Sequence, residues 1–258
     1  HSISVTMSSM QQGLAYSTSR RSGLMAAFAE PLILIAASGL AREVLAVVRG
    51  HGLYDVIGFL DDAPSLAGAT IDGVPVLGAL DTIAAYPSAR VIVCAGHGAV
   101  RDRIVTRLAR LGISSSRFAA VVHPSVEIPQ GCELGAGSII LAGVVLTTAV
   151  SIGEHVVIMP NVTLTHDCVL HDYATVCAGT ALGGGVVIER AAYLGMNSSV
   201  REGLTVGPRA TLGMGSVLLT NAPAGETWVG VPARALSSHS SNTATTVEAV
   251  TTSPSGES

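Results

Sequence analysis

Residues 158–182 read IMPNVTLTHDCVLHDYATVCAGTAL, with a large aliphatic side chain at every sixth position: Ile158, Leu164, Leu170, Val176 and Leu182. Counting outward in both directions, from Val122 to Leu218, gives seventeen consecutive positions filled by Ile, Leu or Val, without an insertion. Four residues after each comes a second set of mostly small or compact side chains, among them Cys132, Ser138, Val162, Cys168, Ala174, Thr180, Ala192, Ser198 and Ala210; only Leu204 is bulky there. A helix would repeat near 3.6 residues and a half-buried strand near 2, so this is a hexapeptide repeat.

The spacing has a physical reading. Each hexad supplies a short strand with a large inward aliphatic residue, then a small inward residue where the chain turns a corner. Three hexads close one triangular coil, so residues eighteen apart stack, and His166 sits over Thr148 and under Gly184. Seventeen hexads make just under six coils. A single coil buries little, and only the stack is stable.

Composition agrees. Of 258 residues 48% are hydrophobic but only 3% aromatic, as a narrow prism filled with Val, Ile, Leu and Ala requires. A net charge of −4 gives no reason to expect nucleic acid or an anionic membrane as partner, and no apolar run reaches the length of a membrane span. Cys94, Cys132, Cys168 and Cys177 form no CxxC pair. Two of them fill small inward slots of the repeat, which points to reduced core residues of a cytosolic, cytoplasmic protein.

Ahead of the repeat the pattern differs. Residues 1–29 show no clean period and read as a disordered leader. From Pro31 a buried strand (residues 32–35) runs into the turn Ala36-Ala37-Ser38-Gly39 and a helix around residues 40–50. A second strand covers 54–60 and ends at Asp61-Asp62. A short strand lies within 73–78, a short helix over 80–85, and a further strand over 90–95. Gly96-His97-Gly98 then leads into a helix from 99 to 111. Strands alternating with helices predict a small parallel α/β domain over residues 30–113, with ligands at the carboxyl ends of its strands. The first loop has one glycine and lacks the GxGxxG of a dinucleotide site. A helix N-terminus there offers amides to a phosphate; equally, Ser38 can simply cap the helix. Residues 114–121 read as a linker, 122–236 as the repeat domain, and the Ser/Thr-rich 237–258 as a disordered tail.

Several motifs in order carry a resemblance: Ala36-Ala37-Ser38-Gly39, Gly58-Phe59-Leu60-Asp61-Asp62, Gly96-x4-Arg101, His123-Pro124-Ser125, the hexapeptides, and the closing Gly230-Val231-Pro232-Ala233-Arg234. Over about residues 31–236 the chain resembles the bacterial sugar O-/N-acetyltransferases of the sialic acid O-acetyltransferase type. That group includes the UDP-4-amino-sugar and GDP-perosamine N-acetyltransferases. The resemblance implies a Rossmann-like α/β domain that holds a nucleotide-linked sugar, followed by a left-handed parallel β-helix that holds acetyl-CoA. It also implies a homotrimer and no metal. Ser38, Gly39, Asp61, Asp62 and Gly96 would contact the acceptor. Thr175, Gly195, Met196, Gly213 and Met214 would line the acetyl-CoA groove between neighbouring β-helices. The chain departs from the family at Leu40, where many members carry His, and at Met159, where Asn often stands; Asn161 lies nearby.

The stretch Thr163-Leu164-Thr165-His166-Asp167-Cys168 concentrates the chemistry. Two and three places after an inward leucine, His166 and Asp167 are expected outward or at a corner. The resemblance makes His166 the general base and Asp167 its helper; an imidazole suits removal of a proton from an attacking amine or hydroxyl near neutral pH. Amides of a nearby glycine turn would hold the oxyanion. His123, His155 and His171 read as structural, and His97 lies in the third loop. Trp228 either covers the pantetheine or caps the last coil.

Two rival readings stand beside this one. His166-x4-His171 has the spacing of a trimeric β-helix metalloenzyme of carbonic anhydrase type. Five extended residues span up to about 16–18 Å, so the two would share an ion only across a subunit boundary, and zinc needs a third ligand. The other rival is a non-catalytic nucleotide-sugar-binding hexapeptide protein.

Overall fold

The computed structural model describes residues 29–236. The expected leader, apart from its last residue, and the expected tail lie outside the described residues. Strand β1 (Glu30–Ile35) is buried from Leu32 onward, as a central strand covered on both faces must be. It is followed by α1 (Gly39–His51), β2 (Tyr54–Leu60), β3 (Thr70–Ile71), β4 (Val74–Gly78), β5 (Arg90–Val93) and α2 (Gly98–Arg110). The sheet order is β3-β4-β2-β1-β5. All pairs are parallel except β3–β4, an antiparallel hairpin turning at Asp72-Gly73, both at positive φ. Two residues are too short to show a period, so β3 was not legible as a strand.

From Val121 the chain winds into a left-handed β-helix of two-residue strands on three faces. Each strand pairs in parallel with those eighteen residues before and after it: Thr163 lies between Val145 and Ala181, and Leu164 between Leu146 and Leu182. The first face carries Val121–Val122, Ile139–Ile140, Val157–Ile158, Thr175–Val176, Tyr193–Leu194 and Thr211–Leu212, extended by the hairpin Thr227–Gly230/Ala233–Ala235. The second carries Val145–Leu146, Thr163–Leu164, Ala181–Leu182, Ser199–Val200 and Val217–Leu218. The third runs from Glu133–Leu134 to Thr205–Val206. Both predicted inward columns fill one continuous core from Ile140 to Leu218.

A third column belongs to the corners. At every sixth residue from Gly131 to Gly215 the backbone has positive φ. Glycine, Asn161, Asp167 and Asn197 adopt this readily, but Ala149, His155, Tyr173, Ala191 and Arg209 sit there too, each at a cost of about 1 kcal/mol that the stack sustains.

The α/β domain packs on the first face. Leu32, Leu34, Phe59 and Ala119 share one core with Ile139, Leu141 and Val157. The expected linker is therefore a packed joint: Phe118 and Ala119 are buried, the Ala119 amide donates to Val91 O at 2.9 Å, and Val121 pairs with Ile139. No helix among the described residues is long and apolar enough to cross a membrane.

Candidate active site

His166 and Asp167 form the corner between the second and third faces, and the backbone there is pinned from both sides. The Asp167 amide donates to Thr148 O at 3.1 Å, and the Gly185 amide donates to His166 O at 2.8 Å. Thr165 Oγ1 donates to Leu182 O at 2.8 Å. On this fixed corner Asp167 adopts φ 60°, which turns its carboxylate back onto the preceding ring. His166 Nδ1 and Asp167 Oδ2 are 2.8 Å apart, with the two side chains 63% and 66% exposed. A carboxylate only accepts, so the neutral ring keeps its proton on Nδ1 and leaves Nε2 with its lone pair. A side chain at Gly184 would overlap the His166 ring, so glycine there makes room for it.

The residues assigned to the acceptor do gather at the carboxyl edge of the α/β sheet, but most of their polar atoms are spent on the loops themselves. Ser38 caps α1: its Oγ accepts from the Ala41 amide at 3.3 Å and donates to Cys94 O at 2.6 Å. Asp61 accepts from the Ala37 and Ala63 amides, each at 2.8 Å. Asp62 accepts from the Leu80 amide at 3.0 Å and pairs with Arg107, which also binds Asp81. The Leu80 amide, and then Arg107, hold its carboxyl below the usual carboxylate range against the opposing effect of burial. Between them lies a cavity of about 140 Å³ walled by Ala36, Asp61, Asp62, Leu80 and Ile104 among others. Gly39 opens onto free space.

Gly195, Met196, Gly213 and Met214 lie at the other edge of the second face, the corner it shares with the first. Met196 and Met214 project from successive coils as an exposed apolar ridge, 48% and 72% accessible. Gly195 lies so close to the Met214 and Gly213 backbone that a Cβ would collide. Thr175 is a correction. It stands on the first face beneath the α/β domain, 0% exposed, where its Oγ1 donates to Gly96 O at 2.9 Å and accepts from Arg101 at 3.0 Å. It cannot line an open groove. Gly96 is likewise tied to the β-helix through its carbonyl.

Arg101, visible in the sequence only as part of a spaced motif, is the polar centre of the domain junction. It is 0% exposed. Burial pulls its guanidinium down to about 10, which leaves it charged at neutral pH. Beside it His155 stacks on Tyr173 with centroids 5.2 Å apart and meets the Phe118 edge at 4.6 Å, while Arg190 lies 4.5 Å over the Tyr173 ring. His97 stacks on Tyr193 at 5.0 Å. His171 stands at the corner between the third and first faces, 3.8 Å from Glu189, so it shares no corner with His166. Among the described residues no group of three or more His, Cys, Asp or Glu side chains converges as a metal site. Trp228 packs against the β-helix core and donates to Glu226 at 2.9 Å.

An α/β domain seated on a hexapeptide β-helix with an exposed His-Asp corner defines an acyltransferase architecture, and comparison with known proteins agrees. Residues 31–108 match the PglD N-terminal domain, 149–184 the bacterial transferase hexapeptide (six repeats), and 185–220 the hexapeptide repeat of succinyl-transferase. WeeI from Acinetobacter baumannii AYE is 31% identical over 80% of this chain and 100% of its own, with a TM-score of 0.71. PerB from Caulobacter crescentus, solved with CoA and GDP-perosamine, is 27% identical over 80% and 97% of the two chains, TM-score 0.73. The acetyltransferase domain of PglB from Neisseria gonorrhoeae FA1090, solved with acetyl coenzyme A, is 27% identical over 81% and 100%, TM-score 0.74. No curated protein sequence matches the chain. The chain belongs to the bacterial hexapeptide-repeat sugar acetyltransferases that carry a PglD-type N-terminal domain.

Proposed function

We propose that the protein transfers the acetyl group of acetyl-CoA to an amino or hydroxyl group of a nucleotide-linked sugar, with His166 as general base. The observation that carries this is the His166–Asp167 pair, 2.8 Å apart on an exposed corner, with the carboxylate engaging Nδ1 and leaving Nε2 to act. His166 Nε2 takes the proton of the attacking N–H or O–H as its lone pair adds to the thioester carbonyl. Collapse of the tetrahedral intermediate breaks the C–S bond, and the imidazolium returns the proton to the departing CoA thiolate. Asp167 holds the ring and its tautomer. Gly39 and the cavity beside Asp61 and Asp62 receive the acceptor, and the Met196–Met214 ridge with Gly195 and Gly213 lines the acetyl-CoA groove.

Geometry favours a homotrimer as the working unit. The acceptor domain covers the first face, whereas His166 stands at the corner between the other two, on the far side of the prism. A sugar held by one copy therefore meets the base of another. The second face suits the contact: its outward residues Val145, Thr163, Ala181, Ser199 and Val217 carry no charge, and Val145 is 50% exposed.

The test is thiol release from acetyl-CoA with a panel of UDP-, GDP-, dTDP- and CMP-linked amino and hydroxy sugars. The wild type is expected to turn over at least one of them, and His166→Ala to lose about 10²–10⁴-fold in kcat while keeping its assembly and acetyl-CoA affinity. Near-normal turnover by His166→Ala removes this residue from the mechanism.

A further inference from the structure

Arg101 makes six hydrogen bonds, and their distribution is unusual. Its Nη1 donates to Ala95 O at 2.8 Å and Gly96 O at 2.9 Å, in the loop that leaves β5. Its Nε donates to His155 O at 2.8 Å, and its Nη2 donates to Tyr173 O at 2.7 Å, Ala174 O at 2.9 Å and Thr175 Oγ1 at 3.0 Å. Thr175 Oγ1 closes the ring by donating to Gly96 O at 2.9 Å. Every acceptor is a neutral oxygen, and no carboxylate pairs with this buried cation among the described residues. A guanidinium withdrawn from water without a counter-ion is costly. Replacement by an apolar side chain would take away the donor to the Ala95, His155 and Tyr173 carbonyls, while Gly96 O and Ala174 O keep Thr175 Oγ1 and the Val157 amide, so the arrangement is specific to a planar, forked donor.

What it joins is informative. One side of the fork holds the third loop at the carboxyl edge of the acceptor domain. The other holds Tyr173, Ala174 and Thr175, which lie at the next corner after that of His166 and at the start of the first-face strand, beyond the intervening strand Val169–Leu170. The neighbouring packing leaves no slack: a Cβ at Gly98 would run into Tyr173 O and the Ala191 backbone. In an assembly whose threefold axis runs along the prism, rotation leaves the height of every residue along that axis unchanged. A loop fixed at the level of residues 173–175 in one copy is then at the level of His166 in all copies.

On this basis, and resting on the function proposed above, we infer that Arg101 is a positioning residue: it sets the axial height at which the acceptor domain docks on the β-helix, and so brings the bound sugar level with the base of the neighbouring copy. It touches neither acetyl-CoA nor the reacting atoms.

Two substitutions in the full chain test this. Arg101→Lys keeps a cation but loses the fork, and Thr175→Val keeps the shape but removes the hydroxyl between Arg101 and Gly96. With the best acceptor from the nucleotide-sugar panel, Arg101→Lys is expected to raise the acceptor KM about tenfold and Thr175→Val less, while the acetyl-CoA KM and the oligomer mass stay at wild-type values. Amide hydrogen exchange gives a readout that needs no acceptor. Residues 95–98 lose protection in both variants, whereas Leu164 and Leu170 do not. Equal rises in both KM values, or unchanged protection at 95–98, overturn the positioning role. Absence of thiol release by the wild type with every acceptor removes the proposed function instead, and the exchange result then decides alone about Arg101.

Discussion

The imidazole of His166 occupies the space that a side chain at Gly184 would fill, one coil further along the stack. The ring is thus held from two directions, by Asp167 at Nδ1 and by a bare backbone beside it. Gly184→Ala should leave the β-helix intact, since the clash falls on a side chain that can swing into solvent, but it should displace the ring. An ångström-scale shift of a catalytic group costs about 10²-fold. Measured kcat should fall by that order with little change in Tm; wild-type kcat would show that the ring's seat does not matter.

Asp167→Asn is the second probe of the corner. Asparagine tolerates the positive φ of this position, so the fold should survive. An amide in place of the carboxylate offers a donor to Nδ1 and favours the wrong tautomer. A fall in kcat of about 10- to 100-fold with unchanged acetyl-CoA KM is expected.

Subunit sharing makes its own prediction. His166→Ala removes the proposed base, and Gly39→Trp fills the open space over the first turn of α1. Each variant alone should be inactive. Unfolding and reassembling them together as mixed trimers should restore activity in about a quarter of the interfaces, where an intact acceptor loop meets an intact base of another copy. No recovery would mean that base and acceptor loop act within one chain.

The domain junction should respond sharply to one methyl group. Gly98→Ala drives a Cβ into backbone atoms of Tyr173 and Ala191 that cannot rotate away, and overpacking of this kind costs about 1–3 kcal/mol. At Gly39, where nothing lies within 4 Å, the same change should stay within about 0.5 kcal/mol. Thermal unfolding of the two variants side by side distinguishes them.

Acid should loosen the same junction. His155 is buried, its Nδ1 has no hydrogen-bond partner, and burial followed by the charge of Arg101 pulls its pKa from 6.5 down to about 4, with Asp172 and Asp102 opposing. The unfolded chain therefore binds the extra proton first. This stability is complete above about pH 6.5 and is lost as pH falls toward 4, by about 3 kcal/mol. His155→Phe keeps a ring between Phe118 and Tyr173 but cannot titrate, so the decline of Tm across that window should flatten. An unchanged decline would place the acid sensitivity elsewhere.

The repeat was legible because its cause is local. Every sixth residue must be apolar to enter a prism only one side chain deep, and both inward columns read directly from the letters. The corner positions of His166 and Asp167 followed from that register. The positive-φ column at the third place after each inward residue was also present in the spacing, but its mixture of Gly, Asn, Asp, Ala, His, Tyr and Arg hid it. Thr175 was misassigned because a residue number on a coil does not tell which of the three faces the other domain covers.

Linear order thus determined a stacked prism and an outward His-Asp corner, since both follow from a register of six and eighteen residues, and an α/β domain ahead of them, since strand and helix patterns alternate there in short local runs. Tertiary structure alone decided that the α/β domain seats on the first face and that Arg101 welds it there. It also decided that Ser38, Asp61 and Asp62 spend their polar atoms bracing loops. Those outcomes depend on groups far apart along the chain, 74 residues between Arg101 and Thr175 and 79 between Gly96 and Thr175, and a buried donor takes whichever oxygen the packing brings within reach.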